Sequence, residues 1–220
     1  MTAVEELEER HEFRTVGSRD VYVGRVMALR VDEVVMPGGG TAVREIVEHP
    51  GAVAVVPLDE DDRVVLIHQY RHPVGRRLWE LPAGLLDVQG EDPLAAAQRE
   101  LAEEVGLTAT EWSVLVDVDT SPGFSDESIR VFLARGLSEV DPEQRMVAVG
   151  DEEADLVVRR VPLEDAVQWV LSGEVANAST AAGLLAAHAV RSGRVRPRPV
   201  DAPWRDRPHR WAARRHGSAS

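Results

Sequence analysis

Short runs of alternating or β-branched apolar residues punctuate the chain between residues 22 and 161. Such runs, bounded by Gly, Pro or acidic turn residues, indicate β-strands. We predict strands within 22–36, followed by a glycine turn at 38–40. Further strands are predicted at 42–49, 52–56, 64–67, 112–118, 129–134 and 156–161.

One segment changes to a helical period and carries complete end signals. Asp92 suits the N-cap, Pro93 the first helical position and Gly106 the position after the last turn. Apolar residues recur at every third or fourth position between them. The pattern predicts a helix over 93–105, and two further helices are predicted at 163–171 and 179–190.

These elements divide the chain of 220 residues into three parts. Residues 1–50 form an N-terminal β-sheet region, and residues 51–192 form one α/β domain. In residues 193–220 the apolar period stops and Arg, Pro and Asp dominate. We interpret that segment as a tail, either a flexible or surface-packed extension against an acidic body or a partner-binding arm.

Composition restricts the classes of function. The net charge is −13, from 25 basic and 38 acidic residues, which disfavours nucleic acid binding except through the tail with its eight Arg and two Asp. The chain has no Cys, so disulfides, Cys-ligated zinc and thiol nucleophiles are excluded.

No apolar run has the length of a membrane helix, and the acidic N-terminus does not resemble a signal peptide. We therefore expect a cytoplasmic protein with no membrane partner.

Three carboxylates share one face of the predicted helix at 93–105. Glu100, Glu103 and Glu104 are spaced i, i+3 and i+4, a spacing at which like charges repel unless cations compensate them. Carboxylate and carbonyl oxygens are the ligands that Mg²⁺ prefers. The alternative is a solvated acidic face with Arg99 as its partner. The upstream loop with Pro82 and Gly84 favours a metal site, because it can bring backbone carbonyls towards this face.

Together these residues resemble the Nudix hydrolase signature, which reads here as Gly84, Glu91 and then Arg99 through Leu107. One departure is the six residues between Gly84 and Glu91, where the usual pattern has five. The resemblance implies an α/β fold, the Nudix α/β/α sandwich with a mixed sheet, plus an N-terminal antiparallel β-sheet region that dimerises. Residues 51–192 would then be the catalytic domain.

The resemblance also implies a ligand set. Glu100 and Glu104 would be metal ligands, and Glu103 would be a supporting ligand and catalytic carboxylate. The Ala83 carbonyl would add a backbone oxygen, and Arg99 would orient the carboxylates. The implied cofactor is Mg²⁺, with Mn²⁺ as a substitute.

Features outside the signature resemble the ADP-ribose pyrophosphatase subfamily. These are Ser121-Pro122-Gly123, Gln69-Tyr70-Arg71 and the segment 79–84. The implied reaction is hydrolysis of ADP-ribose to AMP and ribose 5-phosphate. Alternatives are a pyrophosphatase for other nucleoside diphosphate sugars and a catalytically silent Nudix domain that senses ligands or binds proteins.

In the subfamily the catalytic base lies on a loop that corresponds to residues 151–155 here. We favour Glu152 as the base over Glu153. The alternative is that this segment is only an exposed acidic loop. Arg71 is the candidate for gripping the diphosphate, because a guanidinium binds phosphate oxygens in a bidentate manner. Glu80 and Ser121 are weaker candidates for contacts with or near the substrate.

Similar enzymes are homodimers in which each N-terminal sheet lends residues to the pocket of the partner. That arrangement makes Arg44 and Glu48 candidates for binding substrate in trans.

Overall fold

The computed structural model describes residues 12–141 and 156–217. Its strands are β1 (Thr15–Val23), β2 (Ala28–Val35), β3 (Thr41–Glu48), β4 (Ala52–Pro57), β5 (Arg63–Arg71), β6 (Arg76–Glu80), β7 (Ala83–Leu85), β8 (Leu107–Asp119), β9 (Ser128–Glu139) and β10 (Val157–Pro162). Its helices are α1 (Pro93–Val105), α2 (Leu163–Ser172), α3 (Ala178–Arg191) and α4 (Arg210–Gly217). No helix in these ranges is long and apolar enough to cross a membrane.

The described residues form two compact units. One, the sheet unit, contains residues up to Pro50 together with 121–127 and 208–217. The other, the sandwich unit, contains 51–120, 128–141 and 156–207.

The sheet unit is built on the antiparallel sheet β1-β2-β3. Ala28 lies opposite Glu48 at one end of the β2–β3 pair and Val35 lies opposite Thr41 at the other. The intervening turn needs glycine, since Gly38 and Gly39 both have a positive φ. Helix α4 belongs to this unit and buries Trp211, which is 3% exposed.

The sandwich unit contains a mixed sheet, β7-β4-β9-β8, in which β4 and β9 are parallel and the other pairs are antiparallel. A second sheet, β10-β5-β6, is antiparallel. Every residue of β4 is buried, which is expected of a strand covered on both faces.

Alternate residues of β4 enter two different cores. Val53 and Val55 pack in the cluster that contains Leu101 of α1. Ala54 and Val56 pack in the cluster that contains Leu184 of α3. Helices therefore cover both faces of the sheet, which confirms the predicted α/β sandwich.

Helix α1 begins and ends where the sequence predicts. The Asp92 side chain accepts the amide of Leu94, with Pro93 at the first helical position. Gly106 closes the helix in the left-handed conformation at φ 66°, and its amide bonds to the Ala102 carbonyl.

The segment after Gly193 does not behave as one piece, because its described residues are divided between the two units. Arg198 exchanges backbone hydrogen bonds of 2.8 and 2.9 Å with Val114 of β8. Its side chain pairs with Asp117 at 2.9 Å, alongside the buried Arg130. Trp204 donates to Ser128 at 3.0 Å, and its ring lies 5.0 Å from the Arg130 guanidinium.

Candidate active site

Arg99 is the centre of a carboxylate cluster on α1. Its guanidinium donates to both oxygens of Glu91 at 3.0 and 3.1 Å. One nitrogen, Nη1, also donates to Glu100 at 2.7 Å and to Glu103 at 3.0 Å. The sequence thus correctly placed Arg99 against Glu100 and Glu103, and the structure adds Glu91 as its bidentate partner.

Burial and neighbouring charge shift the ionisation of this cluster. Desolvation is the largest effect on Glu100 and raises its pKa, an effect that the charge of Arg99 opposes and the charges of Glu103 and Glu91 reinforce. The hydrogen bonds that Arg99 donates to Glu91 are the largest effect on Arg99 and hold its pKa above an already high ordinary value. Burial therefore disfavours the charged form of Glu100 even though Arg99 contacts it.

Gly84 on β7 lies directly against the helix. A Cβ atom at this position would overlap the Glu100 carboxylate, so only glycine permits this approach. The neighbouring Ala83 amide donates to Glu104 at 2.9 Å. The contact between Ala83 and Glu104 is thus made by the Ala83 amide, and the metal-binding role of the Ala83 carbonyl stays a prediction.

The donor set has the chemistry of a hard divalent cation site: three carboxylates contact the Arg99 guanidinium, Glu104 lies on the same helix, and a glycine lets the backbone approach. Arg99 engages one oxygen each of Glu100 and Glu103. Within residues 12–141 and 156–217, no three carboxylate or imidazole side chains are already grouped around one point as in a formed metal site. These residues fit a cation by donor type and charge, and by the close approach at Gly84.

A second polar group lies at the ends of β5 and β6. Glu80, only 2% exposed, accepts two nitrogens of Arg71, with the shortest contact at 2.7 Å. Gln69, two positions before Arg71 on the same face of β5, donates to Glu80 at 2.9 Å. Glu80 therefore holds the Arg71 guanidinium, whose side chain is 44% exposed. Gln69 belongs to the Gln69-Tyr70-Arg71 segment noted in the sequence but was not among the predicted site residues, although its i, i+2 spacing to Arg71 places both side chains on one face of the strand.

Arg44, Glu48 and Ser121 lie in the sheet unit. Arg44 is exposed on β3 and lines a groove of about 520 Å³. The apolar lining of that groove is Leu29, Val43, Val47 and Phe124, with Glu45 and Gly123 completing it. Ser121 begins the loop that carries Phe124, and its carbonyl accepts the Phe124 and Ser125 amides at 3.0 and 2.9 Å.

Glu48 has a different environment from Arg44. It is 1% exposed and ion-paired with Arg30 at 2.8 Å and with Arg214 of α4. Arg30 also pairs with the buried Asp32 at 3.0 Å. The Glu48 carboxylate is thus engaged inside the sheet unit, and neither arginine was among the sequence-based candidates.

Glu152 and Glu153, the candidates for the general base, lie outside the described residues.

The fold is a mixed sheet covered by helices, and the carboxylates of α1 lie against Gly84 of β7. These features define a class of α/β proteins that present ligands for a hard cation from one helix. The chain belongs to the Nudix family: the NUDIX domain model matches residues 48–181.

Curated relatives cover most of the chain. An ADP-ribose pyrophosphatase from Mycobacterium tuberculosis is 54% identical over 206 residues, covering 93% of this chain and 97% of the relative. An ADP-ribose pyrophosphatase from Bacillus subtilis is 41% identical, covering 77% of this chain and 89% of the relative. A methanol dehydrogenase activator from Bacillus methanolicus is 39% identical with the same coverage.

A solved structure of an ADP compounds hydrolase superposes with a TM-score of 0.72 at 23% identity, covering 86% of this chain and 99% of that chain. This likeness supports the fold. Nudix ADP-ribose pyrophosphatases generally depend on a divalent metal.

Proposed function

We propose that this chain hydrolyses the diphosphate bond of ADP-ribose to AMP and ribose 5-phosphate with Mg²⁺, for which Mn²⁺ can substitute. The observation that carries the proposal is the group of carboxylates on α1, in which Arg99 contacts Glu100 and Glu103 and the Ala83 amide contacts Glu104. The choice of substrate is supported by the two ADP-ribose pyrophosphatases among its relatives. A cytoplasmic location stays a prediction from the sequence.

In this proposal Glu100 and Glu104 hold the metal and Glu103 supports it. The cation supplies neutralisation of the diphosphate and activation of a water molecule. Arg99 limits the rotation of Glu100 and Glu103, because one guanidinium nitrogen binds both carboxylates.

The remaining roles concern the substrate. Arg71, held by the buried Glu80, presents its guanidinium to the diphosphate, since a preorganised guanidinium loses little entropy on binding phosphate oxygens. Glu152 or Glu153 accepts the proton of the attacking water. Ser121 contributes a contact near the substrate.

The protein acts as a homodimer in which the sheet unit contributes Arg44 and Glu48 to the partner's substrate pocket. Exposed apolar side chains of the sheet unit, such as Tyr22, Val23 and Val43, supply surface that a second copy would bury. For Glu48 to contact substrate, it would have to exchange its present contacts with Arg30 or Arg214.

A second candidate is hydrolysis of another nucleotide-linked compound by the same carboxylates. The observation that favours it is a relative from Streptomyces rubellomurinus, 31% identical, which is a hydrolase of a CMP-linked phosphonate.

The test is a panel of nucleoside diphosphate sugars and CMP conjugates with Mg²⁺, read by phosphate release after phosphatase coupling. We expect ADP-ribose to have the highest kcat/KM. A higher value for another conjugate would transfer the assignment to the second candidate, and no turnover of any compound would refute the enzyme proposal.

Site variants test the roles. Glu104→Gln should lower kcat/KM by at least about 100-fold, the upper end of what an outer-shell partner costs. Glu174→Gln, an exposed site beyond α2, is the matched control and should keep wild-type activity. Wild-type rates in both Glu152→Gln and Glu153→Gln would show that the base lies elsewhere.

A further inference from the structure

The loop from Ser121 to Glu127 lies alongside β3 in the sheet unit. The Val47 amide donates to the Phe124 carbonyl at 2.7 Å, and the Asp126 amide donates to the Val47 carbonyl at 3.1 Å. Val47 and Ser125 thereby form a parallel bridge. The loop thus adds a short strand-like edge to β3.

Side-chain contacts fasten the end of this loop. The Asp126 carboxylate accepts the backbone amide of His49 at 2.8 Å. The His49 ring, 14% exposed, lies 3.6 Å from the Glu127 carboxylate. These contacts lie immediately after β3, so they hold the loop where that strand ends.

The fastened loop forms one wall of the groove that contains Arg44. Gly123 and Phe124 come from the loop, whereas the opposite lining comes from β2 and β3. Phe124 is 57% exposed, so its own packing holds it weakly. A volume of about 520 Å³ lies within the range of small-molecule sites.

We propose that Asp126 and His49 are positioning residues that set substrate affinity by anchoring the Ser121–Glu127 loop as a wall of the Arg44 groove. The inference rests on the proposed function, because it takes this groove to bind part of the substrate. Neither residue has to contact the substrate, since their effect passes through the position of Phe124.

The anchor is sensitive to acid. Burial lowers the pKa of His49 from its ordinary value of 6.5, although the carboxylates of Glu127 and Asp126 oppose this. Burial is the largest effect on Asp126 and raises its pKa, and the charge of Glu48 raises it further. The hydrogen bond from the His49 amide and the charge of Arg30 act in the opposite direction. Because the anchored state binds the proton of His49 less well than the released state, the contribution of His49 to the anchor is complete above about pH 6.5 and declines as the pH falls below it.

The experiment compares Asp126→Ala with Asp126→Asn, which keeps a side-chain oxygen as acceptor for the His49 amide. We expect Asp126→Ala to raise the KM for ADP-ribose about 10-fold, equivalent to about 1.4 kcal/mol, with kcat changed less than about 2-fold. Asp126→Asn should restore most of the affinity. Glu174→Ala, at an exposed carboxylate of the sandwich unit, is the control.

A second measurement needs no substrate. Chymotrypsin cleavage after the exposed Phe124, identified by mass spectrometry, should be faster in Asp126→Ala than in wild type or Asp126→Asn. In wild type the KM should rise as the pH falls below about 6.5, and His49→Gln, which keeps the backbone amide, should flatten that rise.

Equal KM values in Asp126→Ala and wild type, or equal cleavage rates after Phe124, would overturn the inference. A fall in kcat without a change in KM would also overturn it, because it would indicate a role in the chemical step. Inactivity of the wild-type protein towards ADP-ribose would refute only the proposed function, since the cleavage comparison alone then decides whether Asp126 anchors the loop.

Discussion

Replacing Arg214 by Ala tests whether α4 is an integral part of the sheet unit. Arg214 donates two hydrogen bonds of 2.7 Å to Asp20 and also binds Glu48. The hydrogen bond to Glu48 is the largest effect on the pKa of Arg214 and raises it. The hydrogen bond that Arg214 donates to Asp20 is the largest effect on the pKa of Asp20 and lowers it. The variant leaves the buried Glu48 with Arg30 as its cation.

The magnitude follows from burial. Removing one partner of a buried pair costs about 3–5 kcal/mol, because the other charge is left uncompensated. The Asp20 side chain is 49% exposed, so its pair with Arg214 contributes at most about 1 kcal/mol. Arg30 still compensates Glu48 at 2.8 Å, which lowers the cost. We therefore expect Arg214→Ala to destabilise the fold by about 2–3 kcal/mol, below the buried-pair range.

Urea unfolding followed by circular dichroism measures this change, and thermal unfolding should show a Tm lower by about 4–12 °C. Arg210→Ala removes the same charge from an exposed position of the same helix and should stay within about 0.5 kcal/mol of wild type. The double variant Arg214→Ala with Glu48→Gln should lose less than the sum of the single changes.

The deficit should also shrink as the pH falls. The lowered pKa of Asp20 stabilises the fold above its ordinary value of 3.8, and this contribution is lost as the pH falls through the lowered value. Equal stability of Arg214→Ala and Arg210→Ala at neutral pH would refute the reasoning and show that α4 contributes little.

Three further changes probe the sandwich unit. Gly84→Ala forces a Cβ into the Glu100 carboxylate, so activity should fall about 100-fold while the circular dichroism spectrum is unchanged; wild-type kcat would contradict this close approach. Glu80→Gln weakens the hold on Arg71, and steady-state kinetics should show a KM about 10-fold higher, whereas an unchanged KM would separate Arg71 from substrate binding. Leu101→Ala leaves a cavity at a fully buried position and should lower the free energy of unfolding, measured in urea, by about 2–5 kcal/mol. A decrease below about 1 kcal/mol would contradict the tight packing of this position.

The sequence predicted what depends on local period and end signals. Helix α1 is the clearest case, because Asp92, Pro93 and Gly106 each act on the backbone next to them. The carboxylate face followed directly, since helical geometry alone places Glu100, Glu103 and Glu104 together.

Contacts between distant segments were not predictable in the same way. The hairpin of β5 and β6 was missed, although Pro73 and Gly75 marked its turn, and with it the pairing of Arg71 with Glu80. Helix α4 was missed because eight residues contain too few turns for an apolar period. Its contact between Arg214 and Glu48 joins positions 166 residues apart, for which sequence spacing carries no signal.

The arginines after Gly193 explain how an acidic chain distributes its charge. Arg198 compensates Asp117 in the sandwich unit, and Arg214 compensates Asp20 and Glu48 in the sheet unit. On α1 the balance is different, because one guanidinium serves Glu91 and two carboxylates of the helix. Within residues 12–141 and 156–217, three carboxylates thus share the Arg99 guanidinium, which leaves an excess of negative charge among these four side chains. Such an excess is the electrostatic requirement for recruiting a divalent cation there.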